Sequence, residues 1–247
     1  RAGRGVSLTA AGVVFAEHAE AAVRRADDAV ASVRELVGLD AGSIRVGGGA
    51  TAVAHLLPSV VSEVRRAHPA LRFYIREAGS RAVAAAVISG ELDMGIVTTP
   101  VDGVGAGELM IVASLTDELR LIVPRGHPLH GRKRFRWSEL DGEDVVAFEA
   151  DSAVRGVIDG AALDAGVGLK VVMEVRSLET IERMVEAGVG VGFVSHLALG
   201  SSDEPRGLTC RDGRLDRELA VVRRRDRVPS PAAAVFERVL LSRLGSR

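Results

Sequence analysis

The stretch IRVGGGATAVAHLLPSVVSEVRRA, residues 44–67, decides the fold because it joins a strand, a glycine turn and a helix. Ile44 and Val46 are apolar strand residues, three glycines follow, and Thr51 stands at the start of a helix whose apolar residues recur at helical spacing. A helix that begins after a glycine turn exposes backbone N–H groups and the positive end of its dipole. Such a turn either binds a small anion or is an ordinary connection in an α/β fold.

The composition excludes several classes of protein. The chain has 247 residues, a formal net charge of −1 and only 3% aromatic residues. Near-neutral charge argues against a broad nucleic-acid surface on this segment, and scarce aromatic residues argue against a platform for stacking bases. The single cysteine, Cys210, excludes an intramolecular disulfide framework and a multi-cysteine zinc site, and it fits a reducing cytoplasm. No apolar run reaches the ~20 residues that a membrane span requires, so we expect a cytoplasmic protein with no membrane partner.

Strand and helix patterns alternate from Ser43 onward, which predicts parallel sheets with right-handed crossovers. The same order of elements occurs twice, so we expect two α/β lobes. The arginine run 223–225 is predicted to lie on a solvated edge strand rather than to form a binding patch. Beyond the opening strand and helix, the predicted strands are 71–75, 92–97, 118–124, 145–148, 170–175, 191–194 and 218–222, and the predicted helices are 81–89, 153–165, 178–187 and 231–244.

One long helix is predicted before the lobes, from Leu8 to Val37, with Gly38 as its stop. Small and apolar residues recur along it in steps of four and three, the spacing that keeps a seam facing a partner helix. The predicted dimerisation seam consists of Phe15, Ala19, Ala22, Ala26, Ala29, Val33 and Leu36. The alternative is a helix packed on its own domain, since so many alanines bury little area.

Polar residues cluster where predicted strands end and helices begin. In open parallel sheets, ligands bind outside the carboxyl ends of the strands, so two facing lobes would enclose a binding cleft. Hydroxyl and backbone N–H groups without a strong base or a metal favour binding over catalysis. Arg76, Arg81 and Arg155 lie near strand ends or helix starts, which favours an anionic ligand. The candidate ligand-binding residues are Ala50, Thr51, Ala52, Gly79, Ser80, Thr98, Thr99, Phe148, Glu149, Ser152, Phe193 and Ser195.

Other motifs do not support catalysis or metal binding. The glycines 188, 190 and 192 follow a helix and precede a strand, the reverse of a dinucleotide-binding turn. His127 and His130 lie in a Pro/Gly turn without a nearby cysteine or carboxylate cluster, so a loop role is predicted rather than a metal site. Glu149 and Asp151 form the best available carboxylate pair for an enzyme, although a hinge or capping role explains them equally well. We therefore predict no catalytic residue, no metal ligand and no cofactor.

The N-terminal segment carries a specific family resemblance. RGVSLTAAG, followed by a long helix and then SIRVGGGATAVAHLLP, resembles the end of the wing and the linker helix of LysR-type transcriptional regulators. In that family an Arg-x-x-Arg and a Leu-Thr-x-x-Gly motif occupy this junction. The matching positions here are Arg1, Arg4, Leu8, Thr9 and Gly12. The resemblance continues through HPALRFYIREAG, SGELDMGIV, LRLIVPRGHPL and SLETIERMVEAGVGVGFVS, and so covers nearly the whole chain.

The resemblance implies a fold and a division of the chain. The fold would be a two-lobed, periplasmic-binding-protein-like (type 2) effector domain preceded by a linker helix, with the chain crossing between the lobes twice. Residues 1–41 would form the end of the wing and the dimerisation helix. Lobe I would comprise residues 43–123 and 207–247, and lobe II residues 124–206.

The resemblance also implies a function. A small effector metabolite would bind between the lobes, and the protein would act as a homodimer or homotetramer that binds operator DNA through a winged helix-turn-helix domain absent from this sequence. Arg1 and Arg4 would be the wing remnant that touches DNA, and RNA polymerase would be a further partner. The alternatives are a solute-binding protein of a transporter with the same two lobes and, from another class, an enzyme on this scaffold.

Overall fold

The computed structural model describes residues 8–36, 42–101, 107–199 and 207–245. Its strands lie in the order β2-β1-β3-β10-β4-β8-β6-β7, with β5 and β9 forming a separate pair. The strands are β1 Ser43–Gly48, β2 Arg72–Glu77, β3 Met94–Thr99, β4 Leu109–Ile122, β5 Arg134–Phe135, β6 Asp144–Phe148, β7 Lys170–Val175, β8 Val191–Ser195, β9 Thr209–Cys210 and β10 Asp216–Arg224. The α-helices are α1 Ala10–Leu36, α2 Leu57–Ala67, α3 Ser80–Ser89, α4 Ala153–Asp164, α5 Leu178–Glu186 and α6 Pro231–Gly245.

Strand β4 joins the two lobes. Its first part pairs with β10 up to Glu118, and its last residues, from Leu119, pair with β8. The two predicted sheets therefore share one strand. The prediction of a strand at 118–124 was wrong at its N-terminal side, because residues 109–117 alternate weakly in the sequence and become a strand by pairing with β10.

Each lobe has its own aliphatic core. In lobe I, the sheet packs against α2 and α6 on one face and against α3 on the other. The core of lobe II also contains Leu119, Leu121, Leu208 and Leu215, which lie on the two crossing segments. These leucines belong to segments that the predicted division assigns to lobe I, so the packing of lobe II extends beyond residues 124–206.

A glycine in each lobe lets a helix approach the sheet closely. A Cβ atom at Gly95 on β3 would lie 2.5 Å from Cγ1 of Val83 on α3. One at Gly192 on β8 would lie 2.7 Å from Cγ2 of Ile181 on α5. Gly188 ends α5 with a φ of +83°. The glycine run is thus a helix stop and a packing surface, as its order relative to the helix and strand indicated.

Helix α1 matches the long helix expected from the sequence, and its apolar residues face outward in the single chain. Phe15 is 73% exposed and Val33 is 59% exposed. Ala22, Ala26 and Ala29 are exposed and Ala19 is half-buried, while the side chain of Leu36 lies outside the described residues. Arg1 and Arg4 also lie outside them. The dimerisation seam stays a prediction, and the exposed apolar residues of α1 are consistent with it.

The arginine run does not lie on an edge strand. Arg223 and Arg224 end β10, which lies between β3 and β4 in the middle of the sheet. Arg223 pairs with Glu237 of α6 at 3.2 Å, and Arg224 donates to the carbonyl of Ile88 at 2.9 Å. The prediction was wrong because a row of charges marks an edge strand only when no neighbouring element supplies partners.

Candidate ligand-binding cleft

A cleft of about 180 Å³ opens between the two lobes, at the carboxyl ends of the parallel strands. Its lobe I wall is formed by the segments after β1 and β2 and by Thr98 of β3, and its lobe II wall by the segments after β6 and β7. The lining residues are Gly49, Ala50, Thr51, Glu77, Ala78, Gly79, Ser80, Thr98, Phe148, Glu149, Asp151, Ser152, Ala153, Val154, Val175, Arg176 and Arg217.

Three helices begin at the cleft. The first runs from residue 50 to residue 67 and includes a π-helical turn, Ala52–Leu56, ahead of α2; the other two are α3 and α4. The first N–H groups of a helix have no acceptor within the helix. No side chain caps α3 at Gly79 or α4 at Ser152, and the residue before the first helix is Gly49, which has no side chain. All three positive helix ends therefore point towards the same space.

A buried polar network lies at the base of the cleft, where both crossing strands meet. Nε of Arg217 on β10 donates to Oδ2 of Asp117 on β4 at 2.7 Å, and its Nη2 donates to Oγ1 of Thr51 at 2.8 Å. The hydroxyl of Ser195, at the end of β8, donates to Oδ1 of Asp117 at 2.7 Å. We call these four residues the Arg217 network. It links the first helix of lobe I, both crossings and the last strand of lobe II.

Most of the predicted ligand-binding residues line the cleft, and four do not. Those that line it are Ala50, Thr51, Gly79, Ser80, Thr98, Phe148, Glu149 and Ser152. Ala52 is buried against Gly48 in the lobe I core, and Thr99 donates to the carbonyl of Glu218. Phe193 points into the lobe II core, where its ring stacks on Trp137 at 5.5 Å, and Ser195 lies behind Asp117. Thr98 and Thr99 are adjacent on β3 and face opposite sides of the sheet, so only Thr98 lines the cleft.

The arginines predicted to favour an anion are not the ones at the cleft. Arg76 pairs with Glu91, Arg81 is exposed outside the lining, and Arg155 turns away to Asp159 and Glu174. The cleft instead contains Arg176 and Arg217. Sequence reasoning missed Arg217 because Asp117, its partner, is distant along the chain. Both residues stand one position before a predicted strand, 118–124 or 218–222, so neither was assigned to the sheet.

No group of three or more His, Cys, Asp or Glu side chains within the described ranges is arranged to hold a metal ion. Nδ1 of His127 accepts from the backbone N–H of Leu129 at 3.1 Å, a local turn interaction. The described helices include none that is long and apolar enough to cross a membrane. The site offers hydrogen-bond donors and a guanidinium group, which bind anions.

A family model described as the LysR substrate binding domain matches residues 38–245. The chain belongs to that family. It is the effector domain of a LysR-type transcriptional regulator, with the type 2 periplasmic-binding-like fold that the resemblance implied. The family consists of regulators and not of enzymes, and the solute-binding and enzyme alternatives are disfavoured.

Relatives and solved structures agree with this assignment. The chain is 27% identical over 204 residues to a probable RuBisCO transcriptional regulator of Emiliania huxleyi, covering 81% of this chain and 65% of that protein. A protein of the same name from Synechocystis is 28% identical over 247 residues, covering 98% of this chain and 72% of that protein. The chain therefore spans about two thirds of the length of these two relatives.

Three solved structures share the fold. The regulatory domain of CcmR from Synechocystis, in complex with 2-PG, has a TM-score of 0.73 and 21% identity, covering 82% of this chain and 97% of that one. The effector-binding domain of QuiR in complex with shikimate has a TM-score of 0.72 and 18% identity, covering 84% and 99%. A full-length OxyR variant from Pseudomonas aeruginosa has a TM-score of 0.70 and 21% identity, covering 98% and 78%.

Proposed function

We propose that the cleft binds a small anionic metabolite and that this binding controls transcription. The observation that carries the proposal is the convergence of three uncapped helix starts on a space that also contains the buried Arg217 guanidinium. Helix N-termini and guanidinium groups both favour negative charge, and their effects add where water is partly excluded.

The size and lining of the cleft suit a compact ligand. A volume of about 180 Å³ accommodates a metabolite of a few carbon atoms. Glu149 and Asp151 on the lobe II wall accept hydrogen bonds, so the ligand would carry hydroxyl groups besides its anionic head. The ligands named with the CcmR and QuiR domains, 2-PG and shikimate, are both anions, and shikimate also carries hydroxyl groups, which supports the proposal.

Regulation would follow from a change in the angle between the lobes. A ligand that contacts both walls favours the lobe arrangement in which both contacts form. In a paired protein this change would alter the spacing of DNA-reading domains that precede α1. The regulator would act in the cytoplasm on operator DNA, with Arg1 and Arg4 near phosphates and RNA polymerase as a further partner.

Pairing would use α1. Its exposed apolar residues, Phe15 and Val33 among them, would be buried against the same helix of a second copy. We expect deletion of residues 1–38 to lower the oligomeric mass measured by light scattering while the effector domain keeps its thermal unfolding transition. An unchanged mass after deletion would contradict this role for α1.

The effector proposal is tested by a thermal-shift screen of small carboxylates, phosphates and sulfate, each paired with a neutral analogue. A ligand that binds only the folded protein raises its melting temperature as the ligand concentration rises. We expect at least one anion to raise the melting temperature and its neutral analogue to have little effect. Stabilisation by neutral members alone would overturn the anionic assignment.

A further inference from the structure

Arg217 is almost completely buried, yet it lines the cleft. Its side chain is 4% exposed, and that of its partner Asp117 is 0% exposed. The two residues face each other in register across the β10–β4 pairing, so the backbone itself holds the ion pair in place. An arginine with such a fixed guanidinium loses little side-chain entropy when it binds a further partner.

One nitrogen of this guanidinium remains available. Nε donates to Asp117 and Nη2 donates to Thr51, whereas Nη1 has no hydrogen bond to any residue within the described ranges. A guanidinium N–H group that donates to no protein acceptor can donate to an acceptor that enters the cleft. The neighbouring helix starts favour a negatively charged acceptor.

We propose that Nη1 of Arg217 binds a carboxylate or phosphate oxygen of the effector and so determines its chemical class. This inference rests on the proposed function and deepens it by naming the residue that binds the carboxylate or phosphate group of the ligand. The lobe II carboxylates Glu149 and Asp151 then face the remainder of the ligand, where they accept from hydroxyl groups.

The other cleft arginine is a poor candidate for this contact. The Arg176 side chain is 81% exposed, and its Nε pairs with Oε2 of Glu149. A solvated, mobile guanidinium that already has a carboxylate partner contributes little to binding another. Arg176 therefore serves as the matched control, because it lines the same cleft and carries the same side chain.

The Arg217 network also connects the proposed ligand contact to lobe II through hydrogen bonds. Asp117 accepts from Arg217 with one oxygen and from Ser195 with the other, and the backbone N–H of Leu197 donates to the Ser195 hydroxyl at 3.1 Å. A ligand on Nη1 is thus connected through hydrogen bonds to the end of β8. The anionic head is read at the point where both chain crossings lie, which is where a change of lobe angle must occur.

The test compares three variants of the full chain. The paired change Asp117→Asn with Arg217→Gln removes both buried charges together, so neither is left unpaired. Arg217→Lys keeps the charge next to Asp117 but removes the planar fork that reaches Thr51 and the ligand at once. Arg176→Gln is the control. Thermal unfolding of each variant without ligand reports whether it folds.

The readout is calorimetric affinity for members of a panel containing shikimate, 2-phosphoglycolate, benzoate and inorganic phosphate, together with methyl shikimate and benzamide as neutral analogues. We expect both Arg217 variants to bind the anion roughly 10- to 100-fold more weakly, and Arg176→Gln to change affinity by less than about threefold. The preference for the anion over its neutral analogue should shrink in the Arg217 variants, an effect that loss of structure alone does not produce.

The outcomes separate the two levels of the proposal. If an anion binds the native chain and the folded paired variant equally well, the Arg217 assignment is overturned while the anionic effector stands. The assignment is also overturned if Arg176→Gln alone abolishes binding. If the neutral analogues bind the native chain as tightly as the anions do, the proposed function fails, and the role of Arg217 fails with it.

Discussion

The two walls of the cleft hold their charges in opposite ways. On the lobe I side, Arg217 and Asp117 are buried and held by strand pairing, with a hydrogen bond to Thr51. On the lobe II side, Arg176 and Glu149 form an exposed pair between two loop segments. The buried wall is pre-organised for one chemical group, whereas the exposed wall can change its side chains at little cost in stability.

The largest expected effect comes from breaking the buried pair. Asp117→Ala leaves the Arg217 charge without its partner, and we expect a loss of about 3 kcal/mol in the free energy of unfolding. Glu149→Ala breaks the exposed pair and should cost less than about 1 kcal/mol. Urea unfolding of both variants measures the contrast. Equal losses would remove the distinction between the walls.

A smaller effect is expected from the hydroxyl that supports Arg217. Thr51→Val keeps the shape of the side chain but removes the acceptor of Nη2, so we expect a loss of about 1–3 kcal/mol in stability and roughly threefold to tenfold in anion affinity. Ser152→Ala on the opposite wall is the matched control. Its hydroxyl makes no capping bond, so its removal should cost about 0.5 kcal/mol or less. Calorimetry that finds the same anion affinity in Thr51→Val and the native chain would contradict a role for Thr51.

The smallest effect concerns pH and the half-buried His55 in the π-helical turn of the lobe I wall. Burial lowers the pKa of His55 below its ordinary value of 6.5, and the charge of Asp117 partly opposes this shift. The unfolded chain therefore binds more protons than the folded chain just below pH 6.5, so stability falls as the pH drops through that window.

The contribution of His55 is isolated by comparing pH profiles of the unfolding free energy for the native chain and for His55→Gln. The variant should show a shallower decline on the acid side of pH 6.5, because it no longer carries the group whose pKa is lowered. If the native chain and His55→Gln show the same dependence of unfolding free energy on pH, the lowered pKa of His55 does not contribute to stability.

Much of the fold followed from local patterns. The predicted strand 170–175 coincides with β7, and the helix predicted at 81–89 differs from α3 by one residue at its start. Helix starts are signalled by residues adjacent in sequence, which is why the cleft residues Thr51, Gly79, Ser80 and Ser152 were recognised. Phe193 was misplaced because the direction of a side chain depends on which face of its strand is covered.

By itself, the sequence determined the family, the two runs of alternating strands and helices, and the glycine turn that opens the first lobe, because each is encoded over short spans of residues. Only the tertiary structure decided which charges meet. Asp117 and Arg217 come together because β4 and β10 pair in one register out of several. Arg155 leaves the cleft because it pairs with Glu174 on β7 and with Asp159 on its own helix. A guanidinium group can pair with any nearby carboxylate, and the packing of the lobes decides which carboxylate is near each arginine.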